Sequence, residues 1–468
     1  MVQNSSEQRQ NALARFGLWL AEWSEKWFPD AWVFALIGVA VVFGLGILTG
    51  ESPAKLAIEA GKSFWSLVPF TIQMVMIIIG GYVLASTPVV YWLIRRAARI
   101  TTNSRSAVAW IAFFSMATSL ISWGFSLIFS ALLVREMSRT IRKLDYRAAG
   151  AAGYLGLGAV WALGLSSSAA LMMATKSAIP SKLYDISGLI PLNMTLLIWP
   201  NVWTIFALMA TSILIAYFSA PVEARAKTAE DFGLRLEPIN VSIEARQKPG
   251  EWLEYSPALI LVTSSLLAWY LVDVFRTSPA GPLAALDLNN YNLIFITVGM
   301  VLHWRPKRFL RAVNESVPAI GGVVIQFPFY AMIFGMIVGT GITKRLADLF
   351  VAISTPKTYA LVVALYSAIL GVFIPSGGSK WVIEAPYVLQ AATQQRVNLG
   401  WVVQIYNAAE ALPNLLNPFW MLPLLGLLRV KARDLVGYSA LQMLVHVPLV
   451  FFLCWLFARY IPFVPPMK

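Results

Sequence analysis

Long apolar runs alternate with short polar gaps along this chain. A bilayer-spanning helix needs about 20 apolar residues. Runs of that kind fall at 31–50, 63–94, 148–174, 193–219, 255–275, 316–340, 400–428 and 435–460, with a shorter one at 290–303. Two further apolar stretches, 106–134 and 358–394, are interrupted near their middles by Ser122-Trp123-Gly124 and Pro375-Ser376-Gly377-Gly378. Before the first run, Phe16, Leu20, Trp23 and Trp27 form a helical stripe, with Arg15, Glu22, Glu25 and Lys26 elsewhere. That pattern suits a helix within 1–30 lying in the membrane interface, or a polar leader helix. Residues 1–12 lack the apolar core of a cleavable signal.

A shift of 253 residues overlays the two halves. Ile72-Gln73 falls on Ile325-Gln326, Ile121 on Ile374, Gly124 on Gly377 and Ser126 on Ser379. Run boundaries coincide as well, 31–50 with 284–303, 63–94 with 316–347 and 148–174 with 401–427. Only 255–275 has no counterpart.

Composition narrows the class. Charged residues make up 13% and hydrophobic ones 58%, where soluble domains carry about 25% charged residues. The single cysteine, Cys454, excludes an intramolecular disulfide and a cysteine metal cluster. With only His303 and His446, a multi-histidine metal site is not expected. The net charge of +13 fits basic cytoplasmic loops rather than nucleic-acid binding.

Loop charge orients the chain. Arg95, Arg96, Arg99 and Arg105 lie before the stretch 106–134; Arg135, Arg139, Arg142, Lys143 and Arg147 lie after it. Both flanks are expected on the cytoplasmic side, so 106–134 enters and returns as a re-entrant hairpin. The helix 255–275 then flips the second half, and the cytoplasmic segments hold 24 of the 36 Lys and Arg residues. The expected fold is an all-α polytopic membrane protein of two inverted repeats. Each has about four spanning helices, one of them broken, and one hairpin. Residues 1–30 form the leader, 31–219 the first repeat with hairpin 106–134, and 220–254 a cytoplasmic linker. Residues 255–275 form the connecting helix, and 284–460 the second repeat with hairpin 358–394. The N-terminus is expected in the cytoplasm and the C-terminus in the periplasm.

Broken helices meeting at a repeat interface are where secondary transporters bind substrate and coupling ions. Four stretches qualify: the tips Ser122–Ser126 and Pro375–Ser379, Trp161–Ser168, and Glu410–Pro418. The candidate substrate residues are Ser122, Trp123, Gly124, Ser126, Ser166, Ser168, Ser376, Gly377, Gly378, Ser379, Lys380, Asn414 and Asn417. Gly377-Gly378 opens a helix whose free N–H groups favour an anion; the same pair also permits a tight turn and close packing. Lys380 and Glu384 stand four apart on a helix, so they either pair with each other or serve the site. Glu410, Asn414 and Asn417 form one helical stripe, which packs helices together or serves the site. Glu384 and Glu410 are the candidates for ion or proton coupling. Gln73 and Gln326 read first as interhelical hydrogen bonds.

These residues resemble the short-chain fatty acid transporters of the AtoE type, over nearly the whole chain. The resemblance rests on Phe28-Pro29-Asp30, Trp123-Gly124-Phe125 with Arg135-Glu136, and Leu189-Ile190-Pro191 in the first half. The second half contributes Gln326-Phe327-Pro328-Phe329-Tyr330, Pro375-Ser376-Gly377-Gly378, Trp381-Val382-Ile383, Glu410, Asn414 and Pro418-Phe419-Trp420. More distantly, the chain resembles the wider ion-transporter group with paired hairpins. Ser379, Lys380 and Glu384 depart from the family pattern, which has Gly-His and Gln there. The resemblance implies bacterial inner-membrane uptake of small monocarboxylates such as acetoacetate or butyrate. A dicarboxylate or amino acid derivative on the same fold is the alternative. A membrane enzyme would need a nucleophile–base or metal constellation, and two inverted broken-helix hairpins argue against a static pore. The expected partners are a small carboxylate and the lipid bilayer, not nucleic acid, with self-association left open. No cofactor is expected beyond a coupling H+ or Na+.

Overall fold

Prolines and polar caps set most helix starts. The computed structural model describes residues 31–221, 226–237, 246–278, 282–374, 376–417 and 419–466. The leader helix, Phe28-Pro29-Asp30, Pro375 and Pro418 lie outside the described residues. The first half runs through α1 (Ala31–Leu48), α2 (Pro53–Ser63), α3 (Val68–Ala85), α4 (Pro88–Ala97), α5 (Ser104–Ser119), α6 (Trp123–Thr140), α7 (Tyr146–Leu155), α8 (Ser168–Ala174), α9 (Ser181–Ser187) and α10 (Trp199–Ser219). Helix α11 (Ala258–Thr277) follows the linker. The second half comprises α12 (Leu288–His303), α13 (Pro306–Ser316), α14 (Gly321–Gly339), α15 (Ile342–Ile353), α16 (Tyr359–Phe373), α17 (Gly377–Gln394), α18 (Leu399–Ala411), α19 (Leu422–Leu428) and α20 (Ala432–Phe457). Pro53, Pro88 and Pro306 occupy first turns, where a missing N–H costs no helical bond. Asn103, Ser122, Asp145, Asp287 and Asn398 cap their helices with side-chain oxygens.

Five stretches among the described residues are long and apolar enough to cross a membrane: Val68–Ala85, Tyr146–Ala174, Trp199–Ser219, Pro249–Thr277 and Ala432–Phe457. Helix α11 turns Val262, Leu266 and Trp269 outward, as a lipid-facing helix does. The stretch Tyr146–Ala174 is mostly buried, although it is equally apolar.

The structure divides several runs that read as single elements. The run 63–94 breaks at Ser86–Thr87. Pro88 disfavours a helical conformation in the residue before it, and Thr87 is extended (φ −77°, ψ 150°). The Thr87 hydroxyl then accepts from Val90 N at 3.3 Å and starts α4. In the second half, Val323–Gly339 bends by 77° into α15. The polar gaps after the first run of each half contain the amphipathic helices α2 and α13. The first tip also sits slightly earlier than expected, at 120–122, with Ser122 capping α6.

Several helix boundaries coincide under the 253-residue shift. Moved by 253, α2 covers Pro306–Ser316, which is α13, and α6 falls one residue short of α17. Packing follows the same exchange. Helices α1 and α2 pack on α14, while α12 and α13 pack on α3. Helix α6 packs on α3 and α17 on α14; α5 packs on α7 and α16 on α18. The linker is tied to the first broken helix, since Lys227 N donates to Asp145 Oδ2 at 2.9 Å and Tyr146 N donates to Lys227 O at 2.7 Å.

Candidate functional site

Each half contains one helix that comes apart inside the protein. Helix α7 widens into a π-helical turn at Gly156–Val160 and tightens into a 3-10 turn at Trp161–Leu163. Backbone groups freed at such a break need internal partners, and serines supply them. Ser115 Oγ donates to Gly153 O at 2.7 Å and accepts from Gly156 N at 2.9 Å. Ser119 Oγ donates to Gly156 O at 2.7 Å. Ser126 Oγ donates to Ser115 O at 2.7 Å, and Ser166 Oγ donates to Ser119 O. Asn201 Nδ2 donates to Leu163 O at 2.9 Å. From the second half, Tyr291 OH reaches Ile121 O at 2.6 Å and fixes the first tip.

The second tip is built differently. Ser376 precedes α17 in an extended conformation but provides no side-chain cap. Its hydroxyl instead bonds Ser379 Oγ at 2.9 Å. Tyr406 OH donates to Gly377 O at 2.5 Å and anchors the tip to α18. The uncapped start of α17 opens on a small cavity. Met74, Ile78, Trp123, Leu157, Trp161, Val323, Phe327 and Trp420 supply its apolar wall; Ser168, Ser376 and Asn414 supply its polar side chains, beside Gly377 and Gly378.

Both glycines are required by close approach. A Cβ on Gly377 would lie 2.6 Å from the Trp161 ring, and one on Gly378 would lie 2.9 Å from the Phe70 ring. Below 3.0 Å something must move.

Three charged side chains lie buried beside this tip. Lys380 Nζ donates to Ser367 O at 2.7 Å and stands 3.8 Å from Glu384 Oε1, with both residues fully buried. Ser367 Oγ donates to Glu384 Oε2 at 2.7 Å. The Lys380 ammonium also lies 4.9 Å from the Tyr406 ring centre. Glu410 is buried, and its Oε2 has no hydrogen-bond partner. That oxygen lies 3.3 Å from where a Gly377 Cβ would stand.

A model of the family described as "Short chain fatty acid transporter" matches residues 12–457. The chain belongs to that family. A protein of Escherichia coli (strain K12) named "Putative short-chain fatty acid transporter" is 30% identical over 434 residues, covering 92% of this chain and 97% of its own length. A Haemophilus influenzae protein of the same name is 28% identical over 443 residues, covering 93% and 98%. In fold, the chain is similar to the Alcanivorax borkumensis YdaH transporter, with TM-score 0.58, 14% identity, and 97% and 99% of the two chains covered. It is also similar to Neisseria gonorrhoeae MtrF, with TM-score 0.53, 12% identity, and 96% and 98% covered. The short chain fatty acid transporter family is a transporter family, and this member has several apolar helices suited to a multi-pass membrane protein.

In this family member, Trp123, Ser168, Ser376, Gly377, Gly378 and Asn414 come together in one wall. Ser122 caps α6, and Gly124 faces α3. Ser126 and Ser166 are spent on backbone carbonyls. Ser379 is bonded to Ser376, Lys380 and Glu384 are paired, and Asn417 N donates to Pro413 O at 2.9 Å. Gln73 bonds Asn289 across helices at 2.6 Å, whereas Gln326 accepts from Tyr330 on its own helix at 3.4 Å. Of the apolar wall, sequence reasoning named Trp123 but missed Met74, Ile78, Val323 and Phe327, because these residues look like ordinary core. The 253-residue shift held the signal, since it carries Met74 onto Phe327, Trp123 onto Ser376 and Trp161 onto Asn414, each pair lining the cavity.

Proposed function

We propose that this chain is a secondary active transporter of short-chain fatty acids, small monocarboxylates such as acetoacetate or butyrate, across the bacterial inner membrane. The observation that carries this reading is the uncapped N-terminus of α17 opening on a small cavity with mainly apolar walls. A carboxylate accepts from the free N–H groups there, with Asn414, Ser168 and Ser376 as further donors. A short aliphatic tail packs against Met74, Phe327, Trp161 and Trp420. The family of the chain supports the same substrate class. Transport proceeds by alternating access, with the two repeats inverted and the hairpins α5–α6 and α16–α17 entering from opposite faces. The basic loops favour a cytoplasmic N-terminus.

Reconstituted protein tests this. Labelled butyrate or acetoacetate is expected to undergo saturable counterflow in proteoliposomes above the rate in protein-free vesicles, with competition by other C3–C5 monocarboxylates. Absence of counterflow for every carboxylate overturns the transport reading. Displacement by dicarboxylates but not by monocarboxylates overturns the substrate class.

A further inference from the structure

The buried charges beside the cavity do not balance. One lysine and two glutamates lie in contact or near contact, all removed from water. Lys380 donates to Ser367 O and faces Glu384; Glu384 Oε2 accepts from Ser367, and its Oε1, itself without a hydrogen bond, has the Lys380 ammonium at 3.8 Å. Glu410 is left without a counter-ion of its own, and its Oε2 without a hydrogen bond.

Among the described residues, its surroundings offer no further cation. Lys380 and Glu384 from α17, Tyr154 from α7 and Tyr406 from its own helix are the titratable groups whose charge acts on Glu410 or is acted on by it. From α16, Tyr359 and Tyr366 act with Glu384 instead. His446 of α20 is turned to Ser212, at 2.9 Å. Helix α8 carries no ionisable side chain. The Tyr406 hydroxyl is already bonded to Gly377 O.

Position makes this carboxylate relevant to transport. Its Oε2 lies 3.3 Å from where a Gly377 Cβ would stand, beside the cavity and next to the helix start where the substrate carboxylate is proposed to dock. Two carboxylates sharing a site of low dielectric do not both stay ionised. We propose that Glu410 is the proton-binding residue of transport: the substrate anion enters with one proton on the Glu410 carboxylate, so that anion and proton cross together as a neutral pair. This inference rests on the transport reading above. The proton comes from one aqueous side and is released to the other when the anion leaves. The first-half equivalent of Glu410 under the 253-residue shift is Leu157, so only one half carries the proton site.

The test compares the full-length protein with Glu410→Gln in proteoliposomes, corrected for protein-free vesicles because neutral acids also leak. Wild-type initial uptake is expected to rise about tenfold under an inward proton gradient without sodium, and to ignore an imposed membrane potential. Counterflow by Glu410→Gln is expected to lose the wild-type pH dependence, and its proton-driven uptake to fall by about tenfold or more. Three results overturn the proposal while leaving transport intact: wild-type uptake that needs sodium whatever the pH, wild-type uptake driven by membrane potential, or Glu410→Gln following the wild-type pH profile. Where Glu410→Gln does not fold, the two wild-type results can still overturn the proposal, and Glu410→Asp, which keeps a titratable carboxyl, is expected to keep proton-driven uptake with a shifted pH profile. Absence of wild-type counterflow instead overturns the transport reading, and this inference with it.

Discussion

Lys380 and Glu384 face each other one helical turn apart, Nζ to Oε1 at 3.8 Å, both shut off from water. Ser367 holds both, accepting from Lys380 through its carbonyl and donating to Glu384 through its hydroxyl. Removing one partner of such a pair strands the other charge, at a cost of about 3–5 kcal/mol. Lys380→Met and Glu384→Met are each expected to lower thermal stability in detergent sharply. The double variant is expected to recover much of that loss, because no lone charge remains. A double variant as unstable as the sum of the singles would contradict the pairing.

Gly377 and Trp161 set the width of the second tip. An added Cβ would lie 2.6 Å from the Trp161 ring, so Gly377→Ala is expected to push the ring into the cavity or shift α17. Substrate counterflow should fall about tenfold or more, in the range that a misplacement of about 1 Å produces. Adding Trp161→Leu should return part of the activity by making room. Unchanged counterflow in Gly377→Ala would show that the tip does not line the transport path.

How far the sequence exposed this arrangement depends on which physical signal each residue carries. The breaks near Ser122 and Ser376 and the break within 148–174 were legible, because Gly, Pro and Ser in an apolar run have no ordinary place in a bilayer. Ser376, Gly377, Gly378 and Asn414 were named for that reason, and the structure brings them to one cavity. Ser126 and Ser166 carried the same signal yet serve backbone carbonyls of the last turns of α5. A hydroxyl that satisfies backbone and a hydroxyl that faces a cavity look alike in sequence. The break at Ser86–Thr87 was hidden because its flanks are apolar, and only Pro88 marked it. The pairing of Lys380 with Glu384 stayed open because i, i+4 spacing permits contact without requiring it.

The serines of the first half are expected to separate by function. Ser115 bonds two backbone groups at the π-helical turn, Gly153 O and Gly156 N. Ser115→Ala leaves both buried and unpaired, at about 1–3 kcal/mol. Its thermal stability should drop while the KM for the protein that remains folded is unchanged. Ser168 and Ser376 line the cavity, so their alanine variants should raise KM by a few-fold, about 1 kcal/mol of a lost hydrogen bond, with little change in stability. Measuring melting temperature and counterflow KM on the same preparations checks both halves of the statement.

Glu51 joins the start of one half to the bend in the other. Its Oε1 accepts from Gly341 N at 2.8 Å, and Lys55 Nζ donates to its Oε2 at 3.2 Å. The Gly341 bond, followed by that from Lys55, holds the Glu51 carboxyl below its ordinary value of 4.5. A lowered carboxyl value means that its contribution to stability is present above the unfolded-state value and is lost as pH falls through the folded-state value. Wild-type protein is therefore expected to lose an increment of melting temperature below about pH 4.5. Glu51→Gln, which has no ionised carboxylate to lose, should lack that increment and should also melt lower than wild type at neutral pH. The increment is small, because the carboxylate is only part-buried near the surface and solvent screens its interactions. Acid melting curves that superimpose for wild type and Glu51→Gln would show that the bond to Gly341 does not hold the bend between α14 and α15.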